Sequence, residues 1–543
     1  MKKLYEKSHF LIAGAAIIAA GSIATYFYLR NVAAKVSNPL NSAQIVPESA
    51  IMASFIHPNQ QALNKLQQFG TPETRKLISQ SYAEFQQKNL AEANIDWQKD
   101  IQPWLGGVML AFVSAESEQD VDSVNLLMLV GIKNKLELWK FANKLKGDEE
   151  NQVIERKYQG VTIREVTDES GKTFNLAILG DYLAIAPLAA AVEDAIDTFQ
   201  GQASLAMQED AAESLQQSAG VENALATIFI PNYSELIKAF TDDLPENEKL
   251  STASLGQLEK IDSVVMGIGV DDAGLRLRTV TKLNSPLSPE QTETASVEVL
   301  QRFPAETMMS INGKNISSAW SQFVVQAQGS EDLQDLLEMV RKTLKDVDLD
   351  VDREVFGWMD GEFAIGLIRS NEGILAQTGV GGGMILETSD RFAANGMLRK
   401  LNRIAVEQPG VSLKERQVGE ISVTEWQMIG IGSFLGYGWL DDDSLFVALG
   451  EPLIEVMTTM PDNGLIGSES FEEVVGSLPR SNQGYFYLNV EQMMVWANRY
   501  PFVNVIMPRD VKVVLSSIRG IGVTASWSDE LTNEMEMLWV LQK

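Results

Sequence analysis

The chain repeats itself, so any architecture offered for its first half must also suit its second. Ile95–Gly107 (IDWQKDIQPWLGG) aligns with Leu349–Gly361 (LDVDREVFGWMDG). The alignment pairs Asp96 with Asp350, Lys99 with Arg353, Asp100 with Glu354, Trp104 with Trp358 and Gly107 with Gly361. Each pair keeps charge, bulk or turn chemistry. Asp96, Trp104 and Gly107, with Asp350, Trp358 and Gly361, are therefore the candidate structural motif.

The order of elements repeats around that motif. Each copy opens on a proline-marked lead into an apolar strand, Val46–Phe55 and Phe303–Asn312. Helical spacing follows at Pro72–Ala93 and Glu331–Lys345, then strands at Val108–Val113 and Phe363–Ile368. Leu126–Ile132 with a helix over Leu136–Lys146 answers Met384–Glu387 with a helix over Arg391–Ile404. Phe174–Ala186 before a helix at Leu188–Phe199 answers Leu435–Leu449 before Pro452–Met460. Ala224–Ile230 with Tyr233–Phe240 answers Gly484–Val490 with Glu491–Tyr500, and hairpins at Ile261–Leu283 and Ile518–Leu541 close the copies. Short alternating strands interrupted by helices indicate the α+β class: two tandem related domains, each a mainly antiparallel sheet with helices covering one face. The expected bounds are 45–283 and 300–543, joined by a linker at 284–299 whose Asn284–Glu293 stretch carries two prolines and no apolar period.

Ahead of both copies, Phe10–Leu29 (FLIAGAAIIAAGSIATYFYL) runs for 20 residues without a charge. As a helix it would reach ~30 Å, the thickness of bilayer hydrocarbon. Lys2, Lys3 and Lys7 precede it, and Tyr26, Phe27, Tyr28, Arg30 and Lys35 bracket its far end. Those flanks and that length indicate a transmembrane helix rather than a signal-peptide core. The expected layout is a cytoplasmic N-terminus at 1–9, the span at 10–29 and a linker at 30–44, with the bulk of the chain outside the cytoplasm. Ala16, Ala20 and Ala24, spaced at i, i+4 and i+8, are candidates for close packing against another membrane helix.

Charge and composition exclude much chemistry. Acidic residues number 73 against 44 basic, a formal charge of −29, and residues 1–29 carry +2 of it, leaving −31 on the remainder. Such a surface repels anionic headgroups and nucleic-acid phosphates, so no nucleic-acid partner is expected. With no cysteine there are no disulfides, thiolate nucleophiles or cysteine metal sites, and two histidines leave little for metal or general-base work. No metal, cofactor or catalytic residue is expected.

The motifs that invite chemistry fail on register. Asp346, Asp348, Asp350 and Asp352 alternate, but a calcium loop begun at Asp348 would need glycine at Arg353 and glutamate at Met359. Gly379–Gly383 lacks the last glycine of a dinucleotide fingerprint, which is Met384, and Gly171–Thr173 lacks the first glycine of a phosphate loop, which is Val166. His57 ends a strand with no second ligand beside it. Ser234 and Lys238, one helical turn apart, are a nucleophile–base pair by spacing alone.

The charged N-terminal anchor, Val46–Ala50 (VPESA), Phe69–Glu73 (FGTPE) and Asp100–Gly107 (DIQPWLGG) resemble the cyanobacterial membrane-anchored proteins grouped as domain-of-unknown-function 3352. The likeness covers most of the chain, and the second copy departs from it at Phe356–Gly361 (FGWMDG), which lacks the proline. It implies a plasma or thylakoid membrane and brings no catalytic residue. The expected function is a single-pass membrane-anchored, non-enzymatic interaction or assembly protein with a large acidic periplasmic or lumenal region. Its expected partners are the bilayer and a protein in or near the membrane. The alternative is a binding module for a small apolar or glycan ligand in a cleft between the two repeats, lined from the 20 methionines and 21 phenylalanines.

Overall fold

The computed structural model describes residues 38–86, 96–117, 120–146, 152–167, 171, 173–241, 255–256, 258–287, 292–328, 331–462, 464–500 and 507–543. The expected membrane span at 10–29, with Ala16, Ala20 and Ala24, lies outside them. Among the described residues no helix is long and apolar enough to cross a membrane.

Two compact units divide the chain. The first contains strands β1 (Ala50–Ile56), β2 (Leu105–Ser117), β3 (Asp120–Ile132), β4 (Gln152–Tyr158), β5 (Val161–Thr167), β6 (Thr173–Leu179), β7 (Tyr182–Ala186), β8 (Ala224–Ile230), β9 (Ile261–Val270) and β10 (Gly274–Leu283). They pair antiparallel in the order β4-β5-β6-β7-β3-β2-β1-β8-β9-β10. The second contains β11 (Thr307–Lys314), β12 (Glu362–Arg369), β13 (Val380–Glu387), β14 (Val411–Val418), β15 (Ile421–Met428), β16 (Gly432–Trp439), β17 (Ser444–Leu449), β18 (Tyr485–Asn489), β19 (Ile518–Trp527) and β20 (Thr532–Leu541). Their order, β14-β15-β16-β17-β13-β12-β11-β18-β19-β20, is that of the first unit with each number raised by ten.

Alternation along the strands sets the packing. In the first unit Ala53 and Phe55 of β1, Met109, Ala111 and Val113 of β2, and Leu127 and Leu129 of β3 point into one core. Strand β6 is apolar on both faces, and its two faces receive different helices. Ala177 and Leu179 join Val192 and Ile196 of helix α2 (Ala189–Phe199) in that same core, whereas Leu176 packs with Leu138 and Phe141 of helix α1 (Lys135–Lys146). Coverage of one face, expected from sequence, is therefore corrected: this part of the sheet carries helices on both. The second unit repeats the arrangement, with α3 (Arg391–Glu407) against Leu435, Tyr437 and Leu445, and α4 (Glu451–Thr458) packed on β13, β16 and β17.

Four strands escape the sequence reading. The segments of β4, β5 and β14 are dense in charge (QVIERKY, VTIREVT, VSLKERQV) and β15 (ISVTEWQM) mixes polar and apolar residues on both faces, so their alternation does not read as apolar. A cross-strand ion pair joins β4 to β5, Arg164 Nε donating to Glu155 at 2.8 Å. Phe174–Ala186 and Leu435–Leu449 are the hairpins β6–β7 and β16–β17.

Candidate functional site

The duplicated motif builds the same corner in both units. A single π-helical turn, Trp97–Ile101 or Val351–Val355, leads to each tryptophan. Asp96 Oδ1 accepts the N–H groups of Gln98 and Lys99 at 3.0 and 3.1 Å, and Asp350 Oδ1 those of Asp352 and Arg353 at 3.0 and 3.2 Å. The acid one turn on answers, Asp100 accepting from the Asp96 N–H at 2.7 Å and Glu354 from that of Asp350 at 2.9 Å, a reciprocal cap. Trp104 Nε1 donates to Asp100 O at 2.7 Å and Trp358 Nε1 to Glu354 O at 3.0 Å. Both indoles are buried.

A lysine from the roof helix closes each corner: Lys144 of α1 on Asp100, and Lys400 of α3 on both oxygens of Glu354 at 2.7 and 2.8 Å. The Asp350 N–H and then Lys400 hold Glu354 below the usual carboxylate range. At Asp100 burial pushes upward, but Lys144 and the Asp96 N–H outweigh it and the net shift is again down. Lys144 on Asp100 and Lys400 on Glu354 thus tie the roof helix of each unit to the turn that the motif builds. Gly107 sits in the irregular stretch of β2 between Leu105 and Val108. At Gly361 a Cβ would fall 2.6 Å from the Glu387 carbonyl oxygen, closer than any relaxed contact. Gly361→Ala should therefore cost about 2 kcal/mol by overpacking, read as a lowered melting temperature; a wild-type melt would show that the strands part freely there.

Beneath the roof helix the two units differ. In the first, α1 and strands β4–β7 line an apolar pocket of about 120 Å³ that is partly open to solvent. Leu138, Phe141 and Ala142 line it from the helix, and Val166, Leu176 and Ile178 from the sheet. Arg164 is the one charged side chain among the described lining residues. Phe174 and Ile178 remain 40% and 47% exposed, so the apolar surface continues beyond the helix.

Strand register identifies the matching positions in the second unit. The hairpin pairs Tyr158–Val161 and Val418–Ile421 place Trp426 where the first unit has Val166, and Thr424 where it has Arg164. The partners of Arg164 and Thr424 across the next strand are Leu176 and Tyr437, and Ile178 corresponds to Trp439. Three aliphatic lining residues are thus replaced by three aromatics. Their polar tips are tied to α3: Trp426 Nε1 donates to Asn402 at 2.8 Å, Asn402 Nδ2 to the Tyr437 hydroxyl at 2.6 Å, and Trp439 Nε1 to Asn395 at 3.1 Å. The Arg391 guanidinium lies 4.2 Å over the Trp439 ring. The second unit fills with its own side chains the place that the first leaves open.

A family model described as a protein of unknown function, DUF3352, matches residues 11–541. The chain belongs to the DUF3352 family. No curated protein matches it. Among solved structures, crystal forms III and I of TP0453 share 12% and 11% identity with this DUF3352 chain. They cover 47% and 46% of it and 83% and 81% of their own length, with TM-scores of 0.27 and 0.25.

The remaining candidates in this DUF3352 chain are engaged separately. Asp348 meets Arg403 at 3.2 Å, Asp350 caps its turn, and Asp352 takes Arg341 and the Trp320 indole N–H, so the alternating carboxylates do not converge. Among the described residues no group of His, Asp and Glu could hold a metal ion. Ser234 donates to Asn232 and Lys238 faces Glu259, so the serine–lysine pair does not form.

His57 has neighbours that spacing could not reveal. Its Nε2 lies 2.7 Å from Thr227 Oγ1 and 3.2 Å from Ser218 Oγ, and Thr227 donates to Ser218 at 2.6 Å. Ser218 is left-handed, at φ 50° and ψ 45°, and its carbonyl oxygen sits 2.0 Å from where a Cβ on Gly267 would be. A serine beside an imidazole is the start of a nucleophile, but at 3% exposure Ser218 offers a substrate no approach. Burial lowers the His57 pKa to about 4, so the fold holds a neutral ring. The unfolded chain protonates it from about pH 6.5 downward and the folded chain only near pH 4. This contribution to stability is complete above pH 6.5 and should fall by roughly 3 kcal/mol as pH drops to 4. Denaturant unfolding across that range should show the loss, and His57→Gln should remove that part of the pH dependence; an unaltered profile would contradict it.

Proposed function

We propose that this chain is a membrane-tethered, non-enzymatic binding protein whose first unit seats a small apolar ligand under α1. One observation carries the reading: the cavity stands open at positions the second unit fills with Trp426, Tyr437 and Trp439. Aliphatic surface of this kind is normally covered, so a fold that covers it with aromatics in one copy and leaves it open in the other offers it to a ligand. The uncharged run at 10–29 and the acidic remainder support a tether that keeps the globular part off anionic lipid, on the periplasmic or lumenal side. The ligand seat lies within one unit, and it favours a ligand-binding role over assembly with a protein partner.

Native mass spectrometry of the full-length chain released from its own membrane tests this. The wild type should carry a small-molecule adduct that Val166→Trp lacks. Identical spectra from the two would remove the proposal's support.

A further inference from the structure

Resting on that reading, we propose that the ligand is a single-chain amphiphile with a carboxylate head, its tail under α1 and its head on Arg164. A cavity of ~150 Å³ is enough for a benzene ring. The present volume of about 120 Å³ therefore takes only the last four or five carbons of a chain, roughly by that comparison. The rest of the tail would run out over half-exposed Phe174 and Ile178. A branched or polycyclic body would not enter.

The head follows from the one charge in the lining. Arg164 projects from the cavity face of β5, its side chain 37% exposed, and of the five N–H donors a guanidinium carries, Nε–H goes to Glu155 at 2.8 Å. Its planar fork suits a carboxylate, which it binds through two parallel hydrogen bonds. The second unit supplies an internal comparison: where aromatics fill the cavity, the arginine position is Thr424. Cation and cavity are present together in one unit and replaced together in the other. In a chain of net charge −29 an anion gains nothing from the overall field, so it needs a local cation, and Glu155 is the group it must compete with.

The chain has no cysteine, so Ala142→Cys places a single thiol in the cavity wall. In the full-length protein held in a lipid nanodisc, protection of this thiol from a maleimide is measured against the free aqueous concentration of sodium octanoate or 1-octanol. Octanoate should protect at a concentration at least tenfold below that of octanol. Arg164→Gln in the Ala142→Cys background should abolish that preference while leaving octanol unchanged, and Glu155→Gln should strengthen octanoate protection several-fold. Equal protection by both probes with Arg164 intact overturns the carboxylate head and leaves the apolar seat standing. No protection by either probe, with no native adduct, overturns the seat itself.

Discussion

Trp358→Ala should cost the second unit about 3–5 kcal/mol, a large part of the ~5–15 kcal/mol that holds a domain folded. Among the described residues, Trp358 is the largest of the side chains that are buried almost completely. It packs with Leu386, Leu398 and Leu445, so its loss opens a cavity between the roof helix and the sheet. Its main chain is engaged as well, the Thr388 hydroxyl donating to its carbonyl oxygen at 2.6 Å. Hydrogen exchange should show lost protection in β13 and α3, with the first unit unaffected. Trp358→Phe, which keeps most of the bulk and loses only the bond to Glu354 O, should cost about 1 kcal/mol. Exchange in Trp358→Ala matching wild type would mean that the corner does not hold the helix on the sheet. Trp104→Ala should act the same way in the first unit, where the indole stacks on Phe141 of α1 with ring centres 5.8 Å apart.

How much of this was legible in the sequence depends on the kind of interaction. The corner was readable because its contacts are local: Asp350, Glu354 and Trp358 lie within nine positions, and one helical turn decides which groups meet. The lysines were not, since Lys144 and Lys400 arrive from a helix that packing brings back over the sheet. Strands with apolar alternation were found, and the charged β4, β5 and β14 and the mixed β15 were passed over, because their stability comes from neighbouring strands rather than from their own pattern. The cavity was illegible for the same reason. Val166 lies on β5 and Leu176 and Ile178 on β6, and only register shows that they face one helix and correspond to Trp426, Tyr437 and Trp439. The His57 cluster spans 170 positions from His57 to Thr227, beyond the reach of any motif.

If an open seat is what makes the first unit receptive, the second should become receptive when it is opened. Trp426→Val with Tyr437→Leu installs two of the first unit's three aliphatic lining residues, and Asn402→Ala removes the amide that would lose both of its partners. The cost should be large, about 3–5 kcal/mol for the tryptophan alone, so melting comes first and binding is measured well below the transition. In that variant Leu398→Cys, at the position matching Ala142, should be protected by 1-octanol and no better by octanoate, because Thr424 supplies no cation. Adding Thr424→Arg should then bring the octanoate preference into the second unit. A folded, opened variant whose thiol octanol leaves fully reactive would show that a void under the roof helix is not sufficient for binding. In that case the first unit's affinity would have to come from surface the second unit does not share.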